Sequence, residues 1–299
     1  MINPSGQQVR SYLALGSGVL CLGFSAIFIR WAGAPGAVAS FYRVGIAAVA
    51  MAIPFYRRTR RNGRLPQREV RIALLGGVLF AADLALWATG VMLSGATNPT
   101  LLANTAPLWV GVGAFLFFRE RRDTKFWGGL VLAMIGAVVV LGLDAIRATS
   151  LGLGTLFGLL AGFFYGSYIL VTQRARERLD SLSSFWLSAI SSSMALLALV
   201  LALRQPLFGY SKLTYLNFLG MGLVSQVLGY LAINYALGHL PATLVSPTLL
   251  GQPVITAILA GALLGETLDI WQVAGGLAVL LGVYLVHTSR ADPRLPRPT

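Results

Sequence analysis

The stretch PLWVGVGAFLFFRERRDTKFWGGLVLAMIG, residues 107–136, returns as PVITAILAGALLGETLDIWQVAGGLAVLLG, residues 253–282. The two stretches align without a gap, and six positions are identical: Pro107 with Pro253, Ala114 with Ala260, Glu120 with Glu266, Asp123 with Asp269, Gly129 with Gly275, and Gly136 with Gly282. Each stretch lies near the end of a set of five apolar segments. We therefore predict two copies of one five-helix unit, residues 1–147 and 148–299. Because five is odd, the second copy enters a membrane from the opposite side, which makes the repeats inverted.

Ten apolar segments are each long enough to cross a bilayer, which takes about 20 residues per helix. Of the 299 residues, 56% are hydrophobic and 11% are charged, and the mean hydropathy is +0.74. A lipid-facing backbone must satisfy its own hydrogen bonds, and the segments lack the alternation of barrel strands. The sequence thus predicts an all-α membrane protein with ten transmembrane helices near Ser11–Arg30, Ala37–Tyr56, Ile72–Leu93, Asn98–Phe118, Phe126–Leu143, Gly152–Thr172, Leu182–Leu203, Leu216–Leu237, Ala242–Leu264 and Ile270–His287.

The basic residues are distributed unevenly between the two sides that these spans define. All but five of the 23 Lys and Arg residues fall in the tails and in the loops near residues 57–71, 119–125 and 174–178. The exceptions are Arg30, Arg147, Arg204 and Lys212 on the other side, and Arg43 within a span. By the positive-inside rule, both termini are predicted to be cytoplasmic. The net charge of +13 is then a topology signal rather than a nucleic-acid surface.

No set of side chains in the sequence fits an enzyme, a metal or a cofactor. Nine of the ten acidic residues fall in loops, tails or helix ends, where they form no catalytic pair. Cys21 is the only cysteine, and the two histidines, His239 and His287, lie at helix ends. A phosphate-binding Gly-Lys-Ser/Thr loop is also missing. We therefore predict no cofactor, no metal and no enzymatic activity, and transport that runs on gradients.

The tenth acid, Asp83, falls in the middle of the third predicted span, where a carboxylate is costly in lipid. Three roles are open: Asp83 binds the ammonium group of a substrate, exchanges a proton during transport, or pairs with a basic neighbour. The candidate neighbour is Arg43 in the adjacent span. Arg43 in turn binds a substrate carboxylate, pairs with Asp83, or extends its charge to the membrane interface.

Other polar and aromatic residues are spaced so that they share helix faces. Asp83 and Trp87 are four residues apart, and Gln226, Tyr230 and Asn234 form a second stripe with that spacing. Facing spans contribute Asn98, Asn104, Tyr165, Tyr168 and Gln252 as further substrate-binding candidates. Such a set suits a solute with an aromatic or aliphatic body and a polar end. Each residue alone also fits helix packing or the interfacial aromatic belt.

The prolines and glycines of the repeat predict moving and fixed parts. Pro107 and Pro253 fall inside the fourth and ninth spans, where each removes a backbone hydrogen bond and favours a bend. We predict that these bends act as symmetric gates. The four repeated glycines permit close helix approach. We therefore expect the fifth and tenth spans to form a fixed packed pair.

The repeated Pro…Glu…Gly…Gly pattern, together with the segment YALGHLPATL at residues 235–244, resembles the EamA repeat of the ten-helix drug/metabolite transporter superfamily. Its most specific parts are Ala96–Val140 and Ala242–Val286. The resemblance implies a bacterial inner-membrane exporter of amino acids or related small metabolites, with a central cavity between the halves and alternating access. Asp83, Trp87 and the helix of Arg43 are similar to those of members that export aromatic amino acids. The first half departs from the repeat at Arg119, where the second half has Gly265.

Two alternatives come from other functional classes. A membrane scaffold or assembly subunit would have no transport cycle, and an intramembrane enzyme is disfavoured because the sequence lacks a catalytic group. The predicted partners are a small-molecule substrate and membrane lipid, with no nucleic acid. A monomeric state stays open.

Overall fold

The computed structural model describes residues 4–94, 97–141, 152–265 and 269–289. Over those ranges the chain is helical, without strands, and its helices are long and apolar enough to form ten membrane spans. The most apolar windows of the ten spans have mean hydropathies between 1.5 and 2.0. The prediction of an all-α protein with ten spans is therefore confirmed.

We number the spans 1 to 10 in chain order. Seven spans are single helices: Pro4–Ala32 (span 1), Gly36–Asn62 (span 2), Gln67–Ser94 (span 3), Thr124–Leu141 (span 5), Leu153–Arg176 (span 6), Ser181–Ala202 (span 7) and Ile270–His287 (span 10). Span 4 consists of Thr97–Ala103 and Ala106–Phe118, and span 9 consists of Ala242–Thr248 and Gly251–Leu264. Span 8 consists of Lys212–Gly220, a π-helix at Met221–Tyr230, and Leu231–Leu237. The division at residues 147 and 148 stays a prediction, because it lies outside the described residues.

The internal repeat is visible in how spans 4 and 9 end. Arg119 follows span 4 with a φ of 55°, and Gly265 follows span 9 with a φ of 69°. Their backbone N–H groups are directed to matching carbonyls, those of Ala114 and Ala260. A left-handed conformation costs about 1–2 kcal/mol for a residue other than glycine. Arg119 therefore differs from Gly265 in its side chain, but its backbone has the same left-handed conformation as Gly265.

The repeated aspartates are helix caps. Asp123 Oδ1 accepts a hydrogen bond from the Phe126 N–H at 2.9 Å, in the first turn of span 5. Asp269 caps span 10 in a capping box, in which its own N–H donates to Gln272 Oε1 at 3.1 Å. Such caps stabilise a helix by about 1 kcal/mol. Local structure thus accounts for both aspartates.

Spans 5 and 10 pack through the repeated glycines. A Cβ added at Gly136 would lie 2.6 Å from the Gly275 carbonyl oxygen, and one added at Gly129 would lie 2.8 Å from the Gly282 carbonyl oxygen. The reverse contacts are as close, at 2.8 Å from a Cβ on Gly275 to the Gly136 oxygen and 2.6 Å from a Cβ on Gly282 to the Gly129 oxygen. Only glycine permits this backbone approach. The predicted close pairing of the two spans is confirmed.

Spans 4 and 9 are interrupted rather than bent. The break in span 4 falls at Asn104 and Thr105, and the break in span 9 falls at Leu249 and Leu250. Pro107 and Pro253 lie in the first turn of the helix that follows each break. Proline is tolerated there because the first N–H groups of a helix have no partner within the helix. The sequence placed the irregularity at the prolines, whereas the structure places it just ahead of them; their role as gates stays a prediction.

Span 8 is wider than an α-helix over ten residues, Met221–Tyr230. A π-helix closes its hydrogen bonds over five residues instead of four and is frequent at functional sites. Gln226 and Tyr230 both belong to this segment, and Asn234 belongs to the α-helix that follows. The helix type predicted for Gln226 and Tyr230 is therefore wrong, whereas all three side chains are buried, as a shared inward face requires.

Polar contacts among helix ends and loops hold one end of the bundle together. We call it the basic end, because it carries the loops near residues 57–71, 119–125 and 174–178. Thr243, at the start of span 9, donates to Glu120 at 2.9 Å and accepts from Arg122 at 2.6 Å, and Arg122 also pairs with Glu120. Gln7 in span 1 donates to the Tyr235 hydroxyl at 2.8 Å. These contacts join the first half to the second.

Asp180 forms another contact of the basic end. Its carboxylate caps span 7 by accepting from the Ser183 N–H at 3.1 Å, and it lies 2.9 Å from Arg58 in the last turns of span 2. Burial alone would raise the pKa of Asp180, but the hydrogen bonds from Ser183 and the charge of Arg58 lower this pKa below its ordinary value. The folded state thus favours the ionised carboxylate.

Candidate functional site

Arg43 lies in span 2 with its guanidinium turned into the bundle, where the residue is 7% exposed. Its Nε donates to Gln226 Oε1 at 2.8 Å, and its Cζ lies 5.2 Å from the centroid of the Tyr230 ring. An amide oxygen and a ring face both attract a cation, but neither carries a full negative charge. Among the described residues, no carboxylate comes within 4.0 Å of this guanidinium. Because the guanidinium is buried against Gln226 and Tyr230, the alternative that Arg43 extends its charge to the membrane interface is wrong.

Asp83 in span 3 is also 7% exposed. The Arg43 guanidinium and the Asp83 carboxyl group form no salt bridge, because they are more than 4.0 Å apart. The guanidinium donates to Gln226 instead. The alternative of a direct structural ion pair is therefore not supported by the geometry. The arrangement is two opposite charges in one buried region, each without a contacting countercharge in the described part of the chain.

Four aromatic rings surround these charges. Phe80 stacks on Tyr168 at a centroid distance of 4.7 Å and lies 4.9 Å from Tyr230. Tyr165 lies 6.2 Å from Tyr168, and its hydroxyl accepts from the Tyr230 hydroxyl at 3.2 Å. Spans 3, 6 and 8 therefore meet in one aromatic group. We call the set of Arg43, Phe80, Asp83, Tyr165, Tyr168, Gln226 and Tyr230 the central cluster.

Phe80 is the member of the central cluster that the sequence analysis did not select. It is 1% exposed and contacts three of the predicted residues, Tyr165, Tyr168 and Tyr230. Phe80 precedes Asp83 by three residues, so both lie on one face of span 3. The three-residue spacing from Asp83 could therefore have identified Phe80 as a candidate from the sequence.

Trp87 and Asn104 form a second, smaller group one turn along span 3. Trp87 Nε1 donates to the Thr100 hydroxyl at 2.9 Å, and Asn104 Nδ2 donates to the Thr100 carbonyl at 3.0 Å. Thr100 was also not selected from the sequence. Because Asn104 lies at the break of span 4, this group joins span 3 to the interrupted helix.

The remaining candidates differ in their surroundings. Asn234 is 1% exposed, and neither of its amide atoms has a hydrogen-bond partner. Gln252 is half-buried just after the break of span 9. The side chain of Asn98 lies outside the described residues, although its backbone belongs to the first helix of span 4.

Two cavities lie away from the central cluster. One, of about 440 Å³, lies at the basic end between the start of span 1 and the turn from span 8 to span 9, and its lining includes Gln7, Tyr12 and His239. The other, of about 210 Å³, is an apolar groove among spans 5, 9 and 10. In the central cluster the aromatic rings contact one another. Within the described residues, no group of three His, Cys, Asp or Glu side chains is placed to hold a metal ion.

Comparisons with known proteins agree with this architecture. The model of the EamA-like transporter family matches residues 10–142 and 152–288. A solved crystal structure that is 15% identical superposes with a TM-score of 0.76, over 92% of this chain and 96% of the other, which shows the fold alone.

Three curated relatives extend the comparison. An uncharacterized transporter of Clostridium kluyveri is 21% identical over 73% of this chain and 72% of its own length. The uncharacterized transporter YyaM of Bacillus subtilis is 23% identical over 86% of this chain and 85% of its own length. A probable amino-acid metabolite efflux pump of Salmonella typhimurium is 29% identical over 59% of this chain and 62% of its own length. With both halves matched by the family model and ten spans in the fold, the chain is a multi-pass membrane protein that belongs to the EamA-like transporter family.

Proposed function

We propose that this transporter is a secondary exporter of amino acids, with aromatic ones favoured, or of related small metabolites, and that it works by alternating access. The observation that supports the proposal is that the buried Arg43 guanidinium and the buried Asp83 carboxyl group each lack an ion-pair partner among the described residues. A buried charge without a partner is costly. A zwitterionic solute has one carboxylate and one ammonium group, so it would supply a partner for each.

Six of the seven members of the central cluster have a stated role in this proposal. Arg43, held by Gln226 and by the ring of Tyr230, binds the carboxylate of the solute. Asp83 binds the ammonium group, or exchanges a proton when the solute leaves. The faces of Phe80 and Tyr165 contact the body of the solute, which favours an aromatic or aliphatic side chain.

The residues around the central cluster complete the proposed pathway. Trp87 lies on the same face of span 3 as Asp83, Asn104 lies at the break of span 4, and Gln252 lies just after the break of span 9. In sequence, Asn98 precedes the break of span 4. Irregular helices at the middle of a membrane are typical of transporter sites. We further propose that the protein lies in a bacterial inner membrane with the basic end in the cytoplasm, which the basic loops support. The printed name of the Salmonella relative supports an amino-acid metabolite as cargo.

The test is counterflow in proteoliposomes that contain only this protein, with aromatic and aliphatic amino acids and with pH gradients of either sign. Asp83→Asn and Arg43→Gln are each expected to lower kcat/KM by about 10- to 100-fold, because hydrogen bonds to charged groups are worth about 1.5–3 kcal/mol. Glu177→Gln is the control, since Glu177 forms an exposed pair with Arg174 on one helix turn and should keep the wild-type rate.

The outcomes separate the alternatives. Movement that depends on the pH gradient, and loses that dependence in Asp83→Asn, supports proton coupling. Movement that ignores the gradient supports a facilitator. If folded wild-type protein moves no amino acid, the proposal is wrong and a scaffold without a transport cycle is favoured.

A further inference from the structure

Two polar residues on the basic side of the central cluster lie beside the hydroxyl of Tyr168 but make no side-chain hydrogen bond of ordinary length and angle. Thr172 in span 6 and Asn234 in span 8 are each 1% exposed. The Thr172 hydroxyl and both amide atoms of Asn234 lack hydrogen bonds. Their side chains lie beside the hydroxyl of Tyr168, a member of the central cluster. We call Thr172 and Asn234 the inner polar pair.

The inner polar pair lies between the aromatic rings and the basic end. Thr172 is one turn nearer than Tyr168 to the end of span 6 at Arg176, and Asn234 is one turn nearer than Tyr230 to the end of span 8 at Leu237. Along both spans the order is therefore the same: first the rings, then the polar pair, then the basic end. A solute that passes from the central cluster to the basic end between these spans must cross this level.

Arg176 and Gln173 close the basic end over the pair. Arg176 Nε donates to the Asn234 carbonyl at 2.8 Å, and its Nη1 donates to the Leu179 carbonyl. Gln173 accepts from the N–H of Ala242, at the start of span 9. These bonds tie span 6 to spans 8 and 9. They come from long side chains on a helix end, which can move without unfolding the spans.

Fold stability does not account for the inner polar pair. A buried polar group without a hydrogen bond costs about 1–3 kcal/mol, and such groups are rare in folded proteins. Apolar side chains of similar size would avoid this cost. Both residues are also neutral and can both donate and accept, so they can bind a charged head group and still release it.

We propose that Thr172 and Asn234 form a second solute site, which binds the zwitterionic head group of an amino acid on the basic side of the central cluster when the bundle opens to that end. The proposal rests on the proposed function, since it extends the path of the same solute. In the structure described, Arg176 and Gln173 join span 6 to spans 8 and 9 at the basic end, and both residues of the pair are buried. When Arg176 and Gln173 release spans 8 and 9, water and then the solute reach the pair.

The first test measures stability, binding and transport of Asn234→Leu and Thr172→Val. Both variants are expected to keep or raise the unfolding temperature and to keep the affinity of the central cluster within about twofold, while initial counterflow falls about tenfold, the equivalent of one lost hydrogen bond. The matched control is Asn217→Leu: Asn217 is also a buried asparagine of span 8, but it donates to the Leu213 carbonyl within its own helix at 2.9 Å. This control should keep wild-type transport.

The second test measures access from the basic end without relying on transport. In a background with Cys21, the single cysteine, replaced by serine, Asn234→Cys should react with a membrane-impermeant thiol reagent added on that side, and transported amino acids should slow the reaction. Ile233→Cys is the control, because Ile233 packs against Gly18 of span 1 and should stay unreactive. Adding Arg176→Gln should speed the labelling of the cysteine at 234.

The two tests separate this site from the proposed function. A lower unfolding temperature for Asn234→Leu with transport lost in proportion, or labelling at 234 no faster than at 233, overturns the inner polar pair as a site. Wild-type protein that neither binds nor moves amino acids overturns the proposed function, and labelling at 234 that amino acids fail to slow then removes the pair as a solute site as well.

Discussion

The contact between spans 5 and 10 gives a quantitative test of the fold. In Gly136→Ala, the added Cβ would lie 2.6 Å from the Gly275 oxygen and 2.6 Å from the Val279 nitrogen, both backbone atoms. Carbon–oxygen contacts between helices are about 3.3–3.6 Å, so the two helices must separate by about 0.7 Å. A gap of that size forfeits a quarter to a half of the dispersion energy of the contacts it opens. The expected cost of overpacking is about 1–3 kcal/mol.

Gly128→Ala is the matched control for this prediction. Gly128 lies in the same helix, but a Cβ there would meet nothing within 4 Å. The methyl group should therefore raise stability by about 0.5–1 kcal/mol, the ordinary gain from alanine in a helix. Thermal unfolding in detergent, followed by the fraction that stays monodisperse, should rank Gly128→Ala above wild type and Gly136→Ala below it. Equal melting temperatures for the two variants would refute the packing that we describe.

Three further predictions concern the helix ends. Arg119→Gly should raise the free energy of unfolding by about 0.5–1 kcal/mol, because it removes left-handed strain, and Gly265→Arg should lower it, as read by thermal unfolding. Asp180→Ala should lower the free energy of unfolding at pH 7 by about 1 kcal/mol through the lost cap. Since the pKa of Asp180 is lowered by folding, this advantage is present above the unfolded pKa of about 3.9 and disappears as the pH falls through the folded value. Pro107→Ala combined with Pro253→Ala should slow counterflow by letting the breaks ahead of them close, and an unchanged rate would contradict gating at these positions.

The features that the sequence predicted well depend on long, regular signals. Ten apolar runs and a gap-free repeat predicted ten spans, and the repeated glycines predicted the approach of spans 5 and 10, because close packing needs glycine at that spacing. Burial of Asp83 followed from its position in the middle of an apolar segment, whereas for Arg43 the sequence left burial and extension to the interface open. Fold class and membrane class could therefore be read from the chain.

The features that the sequence missed depend on local backbone irregularity and on contacts between spans. The π-helix in span 8 has no strong sequence signal, so Gln226 and Tyr230 were placed on an α-helical stripe. The Arg43–Asp83 ion pair was one of three alternatives that the sequence left open, and the structure shows the guanidinium bound instead to Gln226, which is distant in sequence. Thr172 was overlooked because one hydroxyl in an apolar helix is common and acquires meaning only when its neighbours are known.

The glycine contact of spans 5 and 10 has the form of a two-fold symmetric interface. Gly136 meets Gly275, which corresponds to Gly129 in the repeat, and Gly129 meets Gly282, which corresponds to Gly136. This exchange of partners defines an isologous contact, as found in homodimers. In a dimer of separate five-helix subunits, every substitution would appear on both sides of the axis. Joining the halves in one chain removes that constraint. The stretch SFYR at residues 40–43 matches SFWL at residues 184–187, so the first half can hold a charge at Arg43 where the second half has the apolar Leu187.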